Sequence, residues 1–114
     1  MWTIYHNPRC SKSRQTLQLL QENGIEPEVV LYLEKHPSAN EIQQLLCKLG
    51  IDARQLLRTG EEPYKQLHLK DRDLLAAQLI DAMVQYPILI QRPIVVKGDK
   101  AVIGRPPENA LELI

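Results

Sequence analysis

His6-Asn7-Pro8-Arg9-Cys10-Ser11-Lys12-Ser13-Arg14 lies between two segments of different periodicity. Ahead of it, Trp2-Thr3-Ile4-Tyr5 is aromatic and β-branched and predicts a strand. Behind it, Gln15 to Gly24 places its apolar residues at helical spacing, with Gly24 as a stop. Cys10 is therefore expected on a strand-to-helix turn, at or beside a helix N-terminus. That end of a helix presents unpaired N–H groups and partial positive charge, which favour a thiolate and any bound anion. Arg9, Lys12 and Arg14 add cations close to the sulfur, and His6 would add another when protonated. Such surroundings can bring a cysteine pKa from about 8.5 down to roughly 3.5–7.5. Many lone cysteines are small buried hydrophobes. A core thiol would not need Arg and Lys on both sides, so Cys10 is predicted to be a reactive nucleophile.

The chain has 114 residues, enough for one domain spanning 1–114. Its 14 Lys and Arg balance its 14 Asp and Glu. A large basic face for duplex DNA or a membrane surface is therefore not expected, whereas a local cationic pocket is not excluded. No apolar run is long enough to span a bilayer, and the N-terminus lacks the pattern of a secretory signal. Cys10 and Cys47 are far apart, which suggests free thiols in a reducing compartment, the cytoplasm. No set of zinc-type ligands is visible, so no metal is expected.

Glu28 to Tyr32 predicts a second strand, which makes a βαβ unit with a parallel pair. Ser38 and Glu41 have the spacing of a capping box. The helix they open carries Ile42, Leu45, Leu46 and Leu49 on one face and stops at Gly50. Cys47 falls off that face and is expected to be an exposed spectator. Ile51 to Leu69, broken by Gly60 and Pro63, predicts short helical turns. Asp73 to Tyr86 predicts a helix packed through Leu75, Leu79, Met83 and Tyr86, with Pro87 as its stop. Ile94-Val95-Val96 and Ala101-Val102-Ile103 predict an antiparallel hairpin around Gly98-Asp99. Pro106-Pro107 opens a short last helix bearing Leu111 and Ile114. The order βα, β, helices, ββ, α predicts an α/β fold with a mixed sheet and flanking helices. A reactive cysteine on the first βα turn and a proline just before the hairpin fit a thioredoxin-like architecture.

At this point the sequence resembles the glutaredoxin-coupled arsenate reductases and their close relatives. The resemblance runs from Thr3 to Leu113. It is carried by Tyr5-His6-Asn7-Pro8-x-Cys10-x-x-Ser13-Arg14, Leu56-Leu57-Arg58, Glu62-Pro63-Tyr64, Pro87-Ile88-Leu89-Ile90-x-Arg92-Pro93-Ile94-Val95-Val96 and Arg105-Pro106. It implies a thioredoxin-like (glutaredoxin-like) fold with a mixed four-stranded sheet and a helical insertion between the second and third strands. It implies Cys10 as nucleophile, with His6 and Ser13 helping to keep it ionised. It implies Arg58, Arg92 and Arg105 as an anion pocket, with Arg14 beside them, and Pro93 as a cis-proline shaping the site. It further implies reduction of arsenate or a similar oxyanion by a monomer with no bound cofactor. Glutathione would be the co-substrate and glutaredoxin the protein partner.

The residue chemistry agrees with that set. Arsenate is a tetrahedral oxyanion, and arginine offers a planar fork of donors that stays charged. Ser13 stands where a Cys-x-x-Cys pair would have its second thiol, so an external thiol is required. Two other classes share the fold. A general monothiol disulfide or glutathione oxidoreductase needs Cys10 but not three arginines. A redox-linked regulatory protein-binding module needs the second cysteine that Ser13 replaces.

Overall fold

Alternation of apolar and polar side chains in Trp2–Tyr5 and the buried apolar run Ile94-Val95-Val96 set the two inner strands of the sheet. The computed structural model describes residues 1–114 and divides into two compact units. The first comprises Met1–Lys35 and Arg92–Ile114, the second His36–Gln91.

In the first unit, β1 (Trp2–Tyr5) runs into α1 (Ser11–Glu22), and the chain returns as β2 (Glu28–Val30) parallel to β1. The expected second strand is shorter than Glu28 to Tyr32, because the chain turns after Val30. Tyr32 lies beyond the strand's end and is buried. β3 (Ile94–Lys97) runs antiparallel to β1, with Ile4 opposite Val95. Gly98 and Asp99 make the turn to β4 (Lys100–Ile103), and the strand order is β2-β1-β3-β4. Ile4, Leu20, Val95 and Ala110 form a fully buried cluster between the sheet, α1 and a 3₁₀ helix, Pro107–Leu113. Burying each of the larger apolar side chains contributes about 1.5–3 kcal/mol. The last helix bears Leu111, as expected, and Ile114 is its C-cap residue. Both are exposed, and its tighter 3₁₀ pitch turns Ala110 into the core instead.

The second unit is the helical insertion in sequence between β2 and β3. α2 (Ala39–Leu49) starts on the Ser38–Glu41 capping box and ends at Gly50, whose φ of 68° favours glycine. Ile42 and Leu45 are buried, and Cys47 is exposed, as its position off the stripe predicts. α3 (Ala53–Leu56) and α4 (Glu62–Gln66) are the short turns expected around Gly60 and Pro63. α5 spans only Ala76–Gln85. Leu75 therefore sits at its N-cap, in extended backbone and 69% exposed, and Tyr86 beyond its end is exposed too. The buried face of α5 is Leu79, Ile80, Ala82 and Met83 rather than the longer predicted stripe. Pro87 opens a 3₁₀ turn, and Leu57 pairs with Ile90 as a single β-bridge.

Candidate active site

The turn that carries Cys10 is built by short backbone bonds. His6 N–H donates to the Val30 carbonyl (2.9 Å), which extends the β1–β2 pairing by one residue. Asn7 then folds the chain: its side-chain Oδ1 accepts from Arg9 N–H (3.0 Å), and its carbonyl accepts from Cys10 N–H (3.0 Å). Arg14 Nη1 donates to the Pro8 carbonyl (2.8 Å), tying the first turn of α1 to this loop.

Cys10 is the N-cap of α1, and its carbonyl accepts the first helical bond from Arg14 N–H (3.0 Å). An N-cap is usually an oxygen-bearing side chain that takes up the open N–H groups behind it. Here sulfur holds that position. It closes no full capping hydrogen bond, yet the charged form is favoured by the N–H groups at the helix end. Burial pushes the Cys10 thiol up. Ser13 N–H, a hydrogen bond from the Arg92 side chain, Lys12 N–H and the Arg92 charge together outweigh it. The net result is a pKa below the ordinary cysteine value.

The arginines arrive from the other side. Arg92 precedes Pro93 across a cis peptide bond, the geometry expected of the loop before β3. Arg105 follows β4 and also precedes a cis-proline, Pro106, which the sequence reading did not foresee. Its Nη1 lies 3.8 Å from Cys10 Sγ. Gly104 holds this loop close: its N–H donates to the Pro93 carbonyl (2.9 Å), and its own carbonyl accepts from Thr16 Oγ1 (3.2 Å). The same hydroxyl reaches the Lys12 carbonyl (2.8 Å). Thr16 thus links the first turn of α1 to the segment that delivers Arg105.

Behind the sulfur, Ser13 is fully buried. Its Oγ accepts from Asn7 N–H (3.0 Å) and is hydrogen-bonded to His6 Nδ1 (2.6 Å). His6 is 6% exposed. Burial and the Arg14 charge lower the His6 pKa, which disfavours the extra charge that His6 would bring when protonated. Its contact is with Ser13 rather than with sulfur. Arg58 belongs to the second unit, where Nε pairs with Glu61 Oε2 (3.2 Å) and its N–H donates to Leu89 (2.7 Å).

Cys10, Ser13, His6, Arg92, Arg105, Arg14 and Pro93 are therefore brought together within the first unit. Thr16 and Gly104 are supporting residues that the sequence reading missed, and Asn7, quoted there within the motif, was given no role. A glycine immediately before the Arg105-Pro106 pair was the one visible signal.

Two outcomes follow from these electrostatic surroundings. In a Cys47→Ser background, iodoacetamide should alkylate Cys10 with an apparent pKa below that of an ordinary cysteine. A rate–pH curve with the midpoint of an ordinary thiol would defeat the electropositive-turn explanation. For His6 the sign is opposite in stability. Its folded pKa lies below the unfolded value of about 6.5, so the unfolded chain takes up the extra proton first. Stability from His6 is present above that pH and declines as pH falls toward the lowered folded pKa. The Tm advantage of wild type over His6→Gln should shrink between about pH 8 and pH 5. Parallel Tm curves would refute a buried neutral imidazole.

A mixed four-stranded sheet with a charge-stabilised cysteine on its first βα turn defines a thioredoxin-like protein with one site thiol. The chain belongs to the ArsC family, whose model matches residues 5–113. It is 55% identical over 112 residues to an arsenate reductase of Haemophilus influenzae, covering 97% of each chain. It is 58% identical over 112 residues to the uncharacterized protein YfgD of Escherichia coli (strain K12), covering 97% of this chain and 94% of that one. A solved arsenate reductase from Vibrio cholerae superposes with a TM-score of 0.97 at 49% identity, covering 99% of this chain and 97% of that one. No helix is long and apolar enough to cross a membrane.

Proposed function

We propose that this protein is an oxidoreductase that reduces arsenate to arsenite through the Cys10 thiolate, with glutathione and glutaredoxin as reductants in the cytoplasm. The observation that carries the proposal is the meeting of Arg92 and Arg105 at Cys10, above the open N–H groups of α1. A tetrahedral oxyanion needs donors on several sides, and a thiolate attacking arsenic needs that anion's charge compensated. The arsenate reductases among its relatives support the same substrate class. Arg14 is a further cation at the site, and Arg58 is a third pocket arginine on the resemblance alone.

In the first step the Cys10 sulfur bonds to arsenic(V), and an arsenate oxygen leaves as water. Glutathione thiolate next attacks the Cys10 sulfur. The sulfur–arsenic bonding pair passes to arsenic, which leaves as arsenite, and a Cys10–glutathione disulfide remains. A glutaredoxin thiol attacks the glutathione sulfur and releases Cys10 as thiolate. Ser13 and Lys12 N–H groups hold charge on sulfur at the start and end of the cycle. His6 and Ser13 act by fixing that turn.

The test is arsenite production with purified protein, glutathione and a glutaredoxin, run beside Cys10→Ser and beside a mixed-disulfide substrate. Turnover that needs Cys10 and both reductants is expected. Brisk disulfide exchange without arsenate turnover would replace the proposal with a general monothiol oxidoreductase.

A further inference from the structure

We infer that the cavity walled by Arg9 and Glu34 is the docking site for glutathione, an inference that rests on the glutathione-dependent chemistry proposed above. The cavity measures about 310 Å³ and lies between the turn that leads to Cys10 and the segment after β2. That is at the lower end of small-ligand pockets, which run from about 300 to 1,000 Å³. Asn7, Pro8 and Arg9 form one wall, and Leu31, Leu33 and Glu34 form the other. Arg9 is covalently adjacent to Cys10, and consecutive Cα atoms are only about 3.8 Å apart. Cys10 itself is not part of the cavity wall, so the ligand seated there has to extend past Arg9 to bring its sulfur to Cys10, which a tripeptide is long enough to do.

The wall chemistry matches a zwitterionic peptide thiol. Glutathione has two carboxylates and one ammonium. The Arg9 guanidinium can fork a carboxylate, and the Glu34 carboxylate can accept from the ammonium. The two side chains line one cavity with opposite charges, yet they form no ion pair with each other. Half-buried Leu31 and Leu33 supply apolar surface for the methylene portion of the ligand. Arsenate has no cationic group, so Glu34 would repel it. The cavity is therefore a poorer fit for the oxyanion than for its reductant.

The experiment isolates glutathione docking from arsenate chemistry. Oxidised glutathione is added to the Cys47→Ser protein. Cys10 thiolate attacks one sulfur of the disulfide, that S–S bond breaks, a Cys10–glutathione disulfide forms, and glutathione thiolate leaves. Rates are compared with those for the N-acetylated disulfide, which lacks the ammonium groups. Each is normalised to iodoacetamide alkylation, which reports the thiolate itself.

Glu34→Gln should slow exchange with oxidised glutathione by about fivefold, the value of an exposed ion pair near its upper limit. The same substitution should not slow the N-acetylated form. Long-range electrostatics predicts the opposite sign, because removing a negative charge favours approach of an anionic disulfide. Arg9→Gln should slow both disulfides relative to alkylation. An unchanged or faster exchange in Glu34→Gln overturns the inference. So does an Arg9→Gln variant with raised KM for arsenate and normal glutathione exchange, which would make the cavity an oxyanion site. Arsenate reduction supported by dithiothreitol, in wild type that does not exchange with glutathione, would sink the docking site while leaving the reductase standing. Loss of arsenate turnover with glutathione exchange intact would do the reverse.

Discussion

Arg92→Lys is expected to lower kcat/KM for arsenate by about a hundredfold, the scale for losing a preorganised donor at a developing charge. Arg92 acts on the sulfur both as a hydrogen-bond donor and as a charge. Lysine keeps the charge but loses the planar fork, so it cannot serve the sulfur and an oxyanion with the same geometry. The Cys10 pKa should rise in the variant, because the hydrogen bond from the guanidinium is one cause of its depression. The two effects separate with pH. At alkaline pH, alkylation by iodoacetamide should return to the wild-type rate, since that step needs only the thiolate. Arsenate turnover should stay low, since it also needs the fork. Arg105→Lys should cost less, because its contact with sulfur is at 3.8 Å and the side chain is exposed. A loss confined to KM would mean that the arginine holds ground-state arsenate. A loss in kcat would mean that it holds the developing charge. Full turnover in Arg92→Lys would remove the pocket assignment.

Much of this site was legible because its signals are local. The strand–Cys10–helix transition follows from a change of periodicity across nine residues, and the capping box of α2 follows from the Ser38–Glu41 spacing. The pairing of β1 with β2 and the hairpin at Gly98-Asp99 also follow from neighbouring segments. Elements that depend on packing were read less well. Leu75 has the right spacing for a buried helical residue, yet Gln78 Oε1 accepts its N–H (2.7 Å) and caps the chain there in extended form. The last helix was read without its pitch, and its 3₁₀ form, which buries Ala110 and leaves Leu111 exposed, shows only in the structure. His6 was read, from its distance in sequence to Cys10, as a further cation when protonated. Its burial, which makes it neutral, depends on the packed structure around it. Thr16 and Gly104 are 88 residues apart, and nothing in a single sequence reports a hydrogen bond across that separation.

Gly104→Ala is expected to show how much the site depends on that long-range contact. A Cβ at position 104 would lie 2.7 Å from Thr16 Oγ1, 2.9 Å from Thr16 Cγ2 and 2.9 Å from Pro93 Cγ. None of these atoms is the loose end of a flexible chain. Thr16 is β-branched, fully buried and bonded to the Lys12 and Gly104 carbonyls, and Pro93 is a buried ring. Relief requires the backbone to move, at about 1–3 kcal/mol for an overpacked site. For a chain near this size each kcal/mol lowers Tm by about 4–8 °C. Arg105 is the next residue, so the displacement should also raise KM for arsenate. Alkylation of Cys10 should change far less, because the Ser13 and Lys12 N–H groups remain on α1. Thr16→Ala supplies the control. Alone it should cost about 1 kcal/mol for a lost hydrogen bond. Combined with Gly104→Ala it removes two of the three close contacts, so the double variant should be more stable than the sum of the singles predicts. Strict additivity in thermal unfolding would show that Thr16 is not what Gly104 must accommodate. A Gly104→Ala protein with wild-type Tm and wild-type KM would show that the Arg105 loop does not need the glycine.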